Sequence, residues 1–381
     1  MKKDLSLDFD FTAIEKRLGC SRRTFMKFCT GVAASLGLGA SSAVAMAQAV
    51  ADPARRPPVI WLHGQECTGP TEALLRSEQP GLAHLILELI SLDYHQTLDT
   101  GAGHQVEEAK KKSMADNKGK YLLVVEGAIP LKDKGIYCKI AGETMLDITN
   151  EAATDAAAIV AYGSCASWGG VQSASPNPTG AVGAPQVLKN KTVLTIPGCP
   201  PNPANFIGTV LFFVTYGKLP PIDELGRPKW AYGRLIHENC YRRPHFDAGR
   251  FAKEFGDEGH RKGYCLYELG CKGPETYNNC PSLEYNNVGG GVWPIGVGHP
   301  CFGCSEKGVG FEKPMFSLSD VKTHTPPNAF PNIDHRPLGG NMSAAGVAVA
   351  SAAVGAVIGA SVVASSKIKK QEKAQKQPKS S

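Results

Sequence analysis

The residues best suited to chemistry lie in the C-terminal half. They are His237-x2-Cys240, Cys265-x5-Cys271, Cys280 and Cys301-x2-Cys304, six cysteines and a histidine within 68 residues. Gaps of two and five residues let two donors reach one inorganic core from a single turn of chain. Thiolate donors in this number select zinc, or iron in the form of iron–sulfur clusters. Zinc is the rival metal for Cys301-x2-Cys304, but the donors do not sort into two four-cysteine sets. The pattern points to iron–sulfur clusters and to a chain that moves electrons. A ferredoxin-like electron-transfer subunit of some other exported oxidoreductase is the alternative, although the repeated C-x2-C-x2-C-x3-C-P run of bacterial ferredoxins does not occur.

Three further cysteines, Cys67, Cys165 and Cys199, stand apart from this ladder, and the elements that must position them are legible. From about 57 to 215, strand-length apolar runs (Pro58–Leu62, Tyr121–Val125, Ala157–Ala161 and Thr192–Ile196) alternate with helical stretches such as Glu72–Arg76 and Thr149–Asp155. Such alternation predicts a parallel sheet covered by helices, an α/β doubly wound domain. The runs lead into Gly64-Gln65-Glu66-Cys67, Glu126-Gly127, Gly163-Ser164-Cys165 and Pro197-Gly198-Cys199. Ligands bind beyond the carboxyl ends of the strands in such sheets, so the three cysteines are expected to converge there. Residues 226–335, rich in Gly, Pro, Asn and Cys, read as an irregular, mostly loop and helical segment held by its metal sites as much as by an apolar core.

The formal charge of +6 is carried by the two ends, +3 by residues 1–27 and +5 by residues 367–381, which leaves the body near −2. A body without basic surplus argues against nucleic-acid binding. Ser21-Arg22-Arg23-Thr24-Phe25-Met26-Lys27, a mild apolar stretch over Val32–Met46 and small residues after it read as a twin-arginine export signal over 1–49, which removes Cys20 and Cys29 from the mature protein. Export of the folded chain suits clusters inserted beforehand better than disulfides among the ten remaining cysteines. Ala344–Ala364 is uncharged and long enough to span a bilayer. The lysines after it place the tail in the cytoplasm and the body across the membrane. The expected divisions are thus 1–49, 50–225, 226–335, a linker and transmembrane anchor over 336–366, and a basic tail over 367–381.

These segments together resemble the small subunit of membrane-bound [NiFe] uptake hydrogenases. The likeness rests on SRRTFMK, PPVIWLHGQECTG, GSCASWGG, IPGCPPNP, YGRLIHENCYRRPHFDAGRFAKEFGDEGHRKGYCLYELGCKGPETYNNC and GHPCFGCSE. It implies a flavodoxin-like domain and electron transfer in H2 ⇌ 2 H+ + 2 e−. It further implies a large partner subunit holding the Ni–Fe site, and a quinone-reactive or cytochrome b membrane subunit on the periplasmic side of the inner membrane. Three clusters are implied: a proximal [4Fe–4S] at Cys67, Cys165 and Cys199, a medial [3Fe–4S] at Cys280, Cys301 and Cys304, and a distal [4Fe–4S] at His237, Cys240, Cys265 and Cys271.

One departure stands out. Where the family has Cys-Thr-Gly-Cys, this chain reads Cys67-Thr68-Gly69-Pro70. Proline offers no donor, so the proximal site lacks one thiolate. An oxygen ligand from Glu72, Glu66 or Thr71, a three-iron cluster, or a water-completed four-iron cluster are the open outcomes, with Glu72 the named candidate. Cys138 reads as an inert buried thiol rather than a substitute ligand. His63 and His104 read as structural histidines, whereas His299 sits within the cluster motif. Glu66 reads equally as a loop carboxylate or a proton relay. Arg242-Arg243-Pro244-His245 reads as a solvated face or an acceptor docking edge.

Overall fold

The computed structural model describes residues 22–52, 55–77, 89–285 and 291–321. In chain order the main elements are α1 (Arg22–Ser35), α2 (Ala40–Ala51), β1 (Pro58–His63), α3 (Gly69–Leu75), β2 (Ser91–His95), α4 (His104–Asp116), β3 (Leu122–Glu126), α5 (Met145–Thr154), β4 (Ala158–Tyr162), α6 (Ser164–Trp168), β5 (Val193–Ile196) and α7 (Pro203–Tyr216). The five strands form one parallel sheet in the order β2-β1-β3-β4-β5. This is one of the two common doubly wound orders, and the expected α/β parallel sheet is present.

The apolar runs of β3, β4 and β5 are continuous because these strands are buried on both faces. Alternate residues feed two cores. Val59, Trp61, Val124, Val160 and Leu194 pack with Phe206, Ile207 and Val210 of α7. Ile60, Leu62, Leu123, Val125 and Ile159 pack with Met145, Ile148 and Ala152 of α5. Helix α7 starts cleanly: the Asn202 side chain accepts from the Ala204 amide, with Pro203 in the first turn. Strand β2 was not apparent as an apolar run. It is an edge strand, Ser-Leu-Asp-Tyr-His, only its last two residues buried.

Helices α1 and α2, in the stretch read as an export signal, lie against the first core through Phe25, Cys29, Met46 and Val50, with Arg23 exposed. Beyond α7 the chain turns irregular, with helices of three to five residues and isolated bridges such as Leu235 to Tyr277 and Phe251 to Cys265. Its small core mixes Ile236, Leu266, Trp293 and Ile295 with Cys271, Cys280 and Cys301. Among the described residues no helix is long and apolar enough to cross a membrane. The expected anchor over 344–364 lies outside them.

Candidate metal centres

Three strand ends deliver Cys67, Cys165 and Cys199 to one cavity of about 230 Å³, which Glu66, Pro70, Gly127 and Ser164 also line. Each cysteine follows a tight departure from the sheet. The Gly64 amide bonds to the Glu126 carbonyl at 2.7 Å and the Gly163 amide to the Ile196 carbonyl at 2.9 Å, so neighbouring strand ends are tied together. Gly163 has φ +93°, and a Cβ there would lie 2.8 Å from Cγ of Pro70, so only glycine lets α3 and α6 approach. Pro70 sits in the first turn of α3, where a missing amide is harmless.

A polar cluster backs this cavity. Glu126 is fully buried and accepts from the Thr71 amide at 3.1 Å, the Thr71 hydroxyl at 2.5 Å and the Trp61 indole at 3.0 Å. Burial raises its pKa against the pull of Thr71. Glu66 Oε1 meets His63 Nδ1 at 3.3 Å and accepts from the Thr68 hydroxyl at 3.2 Å. Glu66 Oε2 and His63 Nε2 are buried without a hydrogen-bond partner among the described residues. Glu72 is exposed and lines a different cavity. Cys138 packs against the second core and is not among the residues lining the three-cysteine cavity.

That second cavity, of about 470 Å³, holds Cys280, Cys301 and Cys304, with Cys199 also on its wall. A third, narrow cleft gathers His237, Cys240, Cys265 and Cys271 beside Arg242 and Arg243. His237 stands edge-on to Phe246 at 4.5 Å. Its Nε2 is buried and unpartnered among the described residues. Burial and Arg243 push its pKa down to about 4, which keeps the imidazole neutral, the form that binds metal.

Burial pushes the thiols the other way, Cys165 and Cys271 up to about 11 and Cys304 to about 12, with Cys280 and Cys301 also raised. Buried thiolates therefore require the positive charge of a metal. Zinc–sulfur bonds of about 2.3 Å put tetrahedral sulfurs ~3.8 Å apart. Among the described residues, the set with all ligand atoms within 4.8 Å is His63, Glu66 and Glu126, not any of the cysteine sets. Cysteines that share a cavity but stand wider than one ion allows suit a polynuclear iron–sulfur core.

The three sites adjoin in series. Cys199 shares the wall of the second cavity with Cys304, and Ser164 bonds to the Cys304 carbonyl. At the other end Cys271 and Cys301 belong to one small core, and the Lys272 amide donates to the Cys301 carbonyl at 2.6 Å.

Comparison with known proteins gives the family. Residues 232–317 match the family profile of the C-terminal region of NiFe/NiFeSe hydrogenase small subunits. Residues 67–213 match that of the NADH ubiquinone oxidoreductase 20 kDa subunit. The Hydrogenase-2 small chain of Escherichia coli K12 is 55% identical over 355 residues, 93% of this chain and 95% of that one. The chain belongs to the small-subunit family of [NiFe] hydrogenases. The small subunit is also 48% identical to the periplasmic [NiFe] hydrogenase small subunit 1 of Nitratidesulfovibrio vulgaris Hildenborough, over 79% of this chain and 94% of that one. Among solved structures, the [NiFeSe] hydrogenase of Desulfomicrobium baculatum aligns with a TM-score of 0.63 and 32% identity over 69% of the small subunit and all of that chain.

Sequence reasoning missed two residues that join the small subunit's halves. Arg227 is buried and forks between Asp223 and Glu306, each at 2.8 Å. Ser164 receives the Gly198 amide at 2.9 Å while reaching Cys304. Nothing local marks Arg227, whereas Ser164 was visible as the neighbour of Cys165. Glu126 was also visible, as a carboxylate closing an otherwise apolar strand.

Proposed function

We propose that this small subunit holds three iron–sulfur clusters in a line between the Ni–Fe site of a large partner subunit and a membrane acceptor. Cys67, Cys165 and Cys199 hold the proximal [4Fe–4S], with an oxygen ligand in place of the missing thiolate. Cys280, Cys301 and Cys304 hold the medial [3Fe–4S]. His237, Cys240, Cys265 and Cys271 hold the distal [4Fe–4S]. When bound, the clusters supply one-electron transfer for H2 ⇌ 2 H+ + 2 e−, whose bond chemistry belongs to the large subunit. The observation that carries this reading is the adjacency of the sites: Cys199 lines the cavity of Cys280, Cys301 and Cys304, and the amide of Lys272, next to Cys271, donates to the Cys301 carbonyl.

The chain's own residues fix order and surroundings. Ser164 locks the first site to the second, and Arg227 holds the chain after Cys304 through the Ser305 carbonyl and Glu306. The exposed Ile136, Tyr137 and Val171 supply apolar surface for the large subunit, and Gln65, next to Glu66, donates to the Tyr137 carbonyl at 3.5 Å. Arg242, buried and bonded to the Tyr264 carbonyl, and Arg243 balance the charge of the distal site, and the part-exposed Arg243 offers an acceptor-facing edge.

The same reading takes residues 1–49 as a twin-arginine signal, 50–225 and 226–335 as the two cofactor-bearing domains, and 336–366 as linker and anchor. The body then faces the periplasm, and a quinone-reactive or cytochrome b membrane protein accepts the electrons. The exposed Arg23, the uncharged run over 344–364 and a periplasmic relative support it. Affinity purification through a tag on this chain from solubilised membranes tests it. A large [NiFe] subunit should co-purify and the complex should reduce viologen with H2. Turnover by the isolated small subunit would refute the division of labour.

A further inference from the structure

The geometry points to Glu66 as the residue that completes the three-cysteine site, its Oε2 standing in for the thiolate absent at Pro70. This rests on the proposal that the site holds a four-iron cluster, and it names the ligand.

The neighbouring oxygens exclude themselves one by one. Glu72 is exposed and lines the cavity of Cys280, Cys301 and Cys304. The Thr71 hydroxyl is committed to Glu126 at 2.5 Å and lies 3.4 Å from His95 Nε2. Glu126 accepts three hydrogen bonds and does not line the cysteine cavity. The Ser164 hydroxyl receives the Gly198 amide and donates to the Cys304 carbonyl. Glu66 lines the cavity, with a side chain 13% exposed.

The two oxygens of Glu66 are differently placed. Oε1 is anchored by His63 Nδ1 and the Thr68 hydroxyl, while Oε2 is buried and unpartnered among the described residues. An unpaired buried carboxylate oxygen is costly, and an iron in the cavity that Glu66 lines would supply the partner. The backbone is shaped around this side chain. Gly127 has φ +89°, and a Cβ there would lie 2.8 Å from Glu66 Cβ. Thr68 holds φ +61°, a left-handed conformation unfavourable for a β-branched residue, and presents its hydroxyl to Oε1. A carboxylate is a harder donor than thiolate, so the iron it holds differs electronically from the other three.

The test uses the purified two-subunit complex, with iron counting, Mössbauer spectra and spin quantitation of the three-iron EPR signal after oxidation. The wild-type complex should show one three-iron spin, from the Cys280–Cys301–Cys304 site. Glu66→Ala and Glu66→Gln should each lose one iron and double that signal. Pro70→Cys in the Glu66→Ala background should restore the iron and return the signal to one, which also shows that the fold survives. Glu66 variants with unchanged iron and spin count would overturn the proposal. So would line broadening by 17O-water in the wild type, which identifies a solvent ligand, or two three-iron signals already in the wild type. Iron absent from this site in both the wild type and Pro70→Cys would instead sink the cluster assignment itself.

Discussion

Ser164, the residue before a cysteine of the first site, donates its hydroxyl hydrogen bond to the carbonyl oxygen of Cys304, a cysteine of the second. The same hydroxyl receives the Gly198 amide at 2.9 Å. One small side chain thus fixes β4, the loop after β5 and the Cys301–Cys304 loop against each other, although Ser164 and Cys304 are separated by 140 residues.

Ser164→Ala leaves a buried amide and a buried carbonyl without partners. The expected cost is about 1–3 kcal/mol. It should appear as a lower melting temperature of the complex, with H2-driven dye reduction falling as the spacing of the two sites loosens. An unchanged melting temperature would show that water replaces the hydroxyl.

Arg227 makes the second tie, with Asp223 and Glu306 both at 2.8 Å and its side chain 5% exposed. Removing the guanidinium strands two carboxylates, one of them in the cysteine loop. Arg227→Ala should cost about 3–5 kcal/mol. A double-mutant cycle with Glu306→Gln should show that most of the loss is shared by the pair.

His95 sets an acid limit. It is buried against Trp61 and His63, and burial, aided by His63, pushes its pKa down to about 3. The unfolded chain takes up this proton near pH ~6.5, whereas the folded chain does not. The stabilising contribution is therefore complete above that pH and is lost at about 1.4 kcal/mol per unit as the pH falls toward the folded value. Chemical denaturation of the complex between pH 7 and 4 should show this slope, and His95→Gln should flatten it.

The segment after α7 should depend on iron far more than the sheet does, because cysteines are prominent in its small core. Replacing Cys240 and Cys271 by Ser should abolish the site around His237 and raise amide exchange across residues 232–321. Strands β1, β3, β4 and β5 should stay protected. Equal loss of protection in both halves would mean that the segment is supported by its packing on the sheet rather than by metal.

Local pattern made much of this legible. Strands β1, β3, β4 and β5 stood out because they are buried on both faces and need continuous apolar runs. Strand β2 did not, because an edge strand carries polar residues. The donors themselves were readable from residue type, since sulfur and imidazole advertise metal chemistry wherever they lie. The loss at Pro70 was equally plain, because proline has no donor atom in any fold.

The sequence by itself determined the inventory: which residues carry sulfur and imidazole donors, that they fall into a strand-end set and a C-terminal ladder, and that Pro70 stands where the resemblance expects a cysteine. Only the tertiary structure decided the contacts, because Cys67, Cys165 and Cys199 share a cavity through chain reversals that no local spacing encodes. It also set the cavities beside one another, with Cys199 on the wall of the Cys304 cavity and Lys272, next to Cys271, bonded to Cys301. And it separated carboxylates that are alike as letters. Glu72 is exposed on its helix, Glu126 has its oxygens engaged by Thr71 and Trp61, and Glu66, which lines the three-cysteine cavity, keeps one buried oxygen unpaired among the described residues.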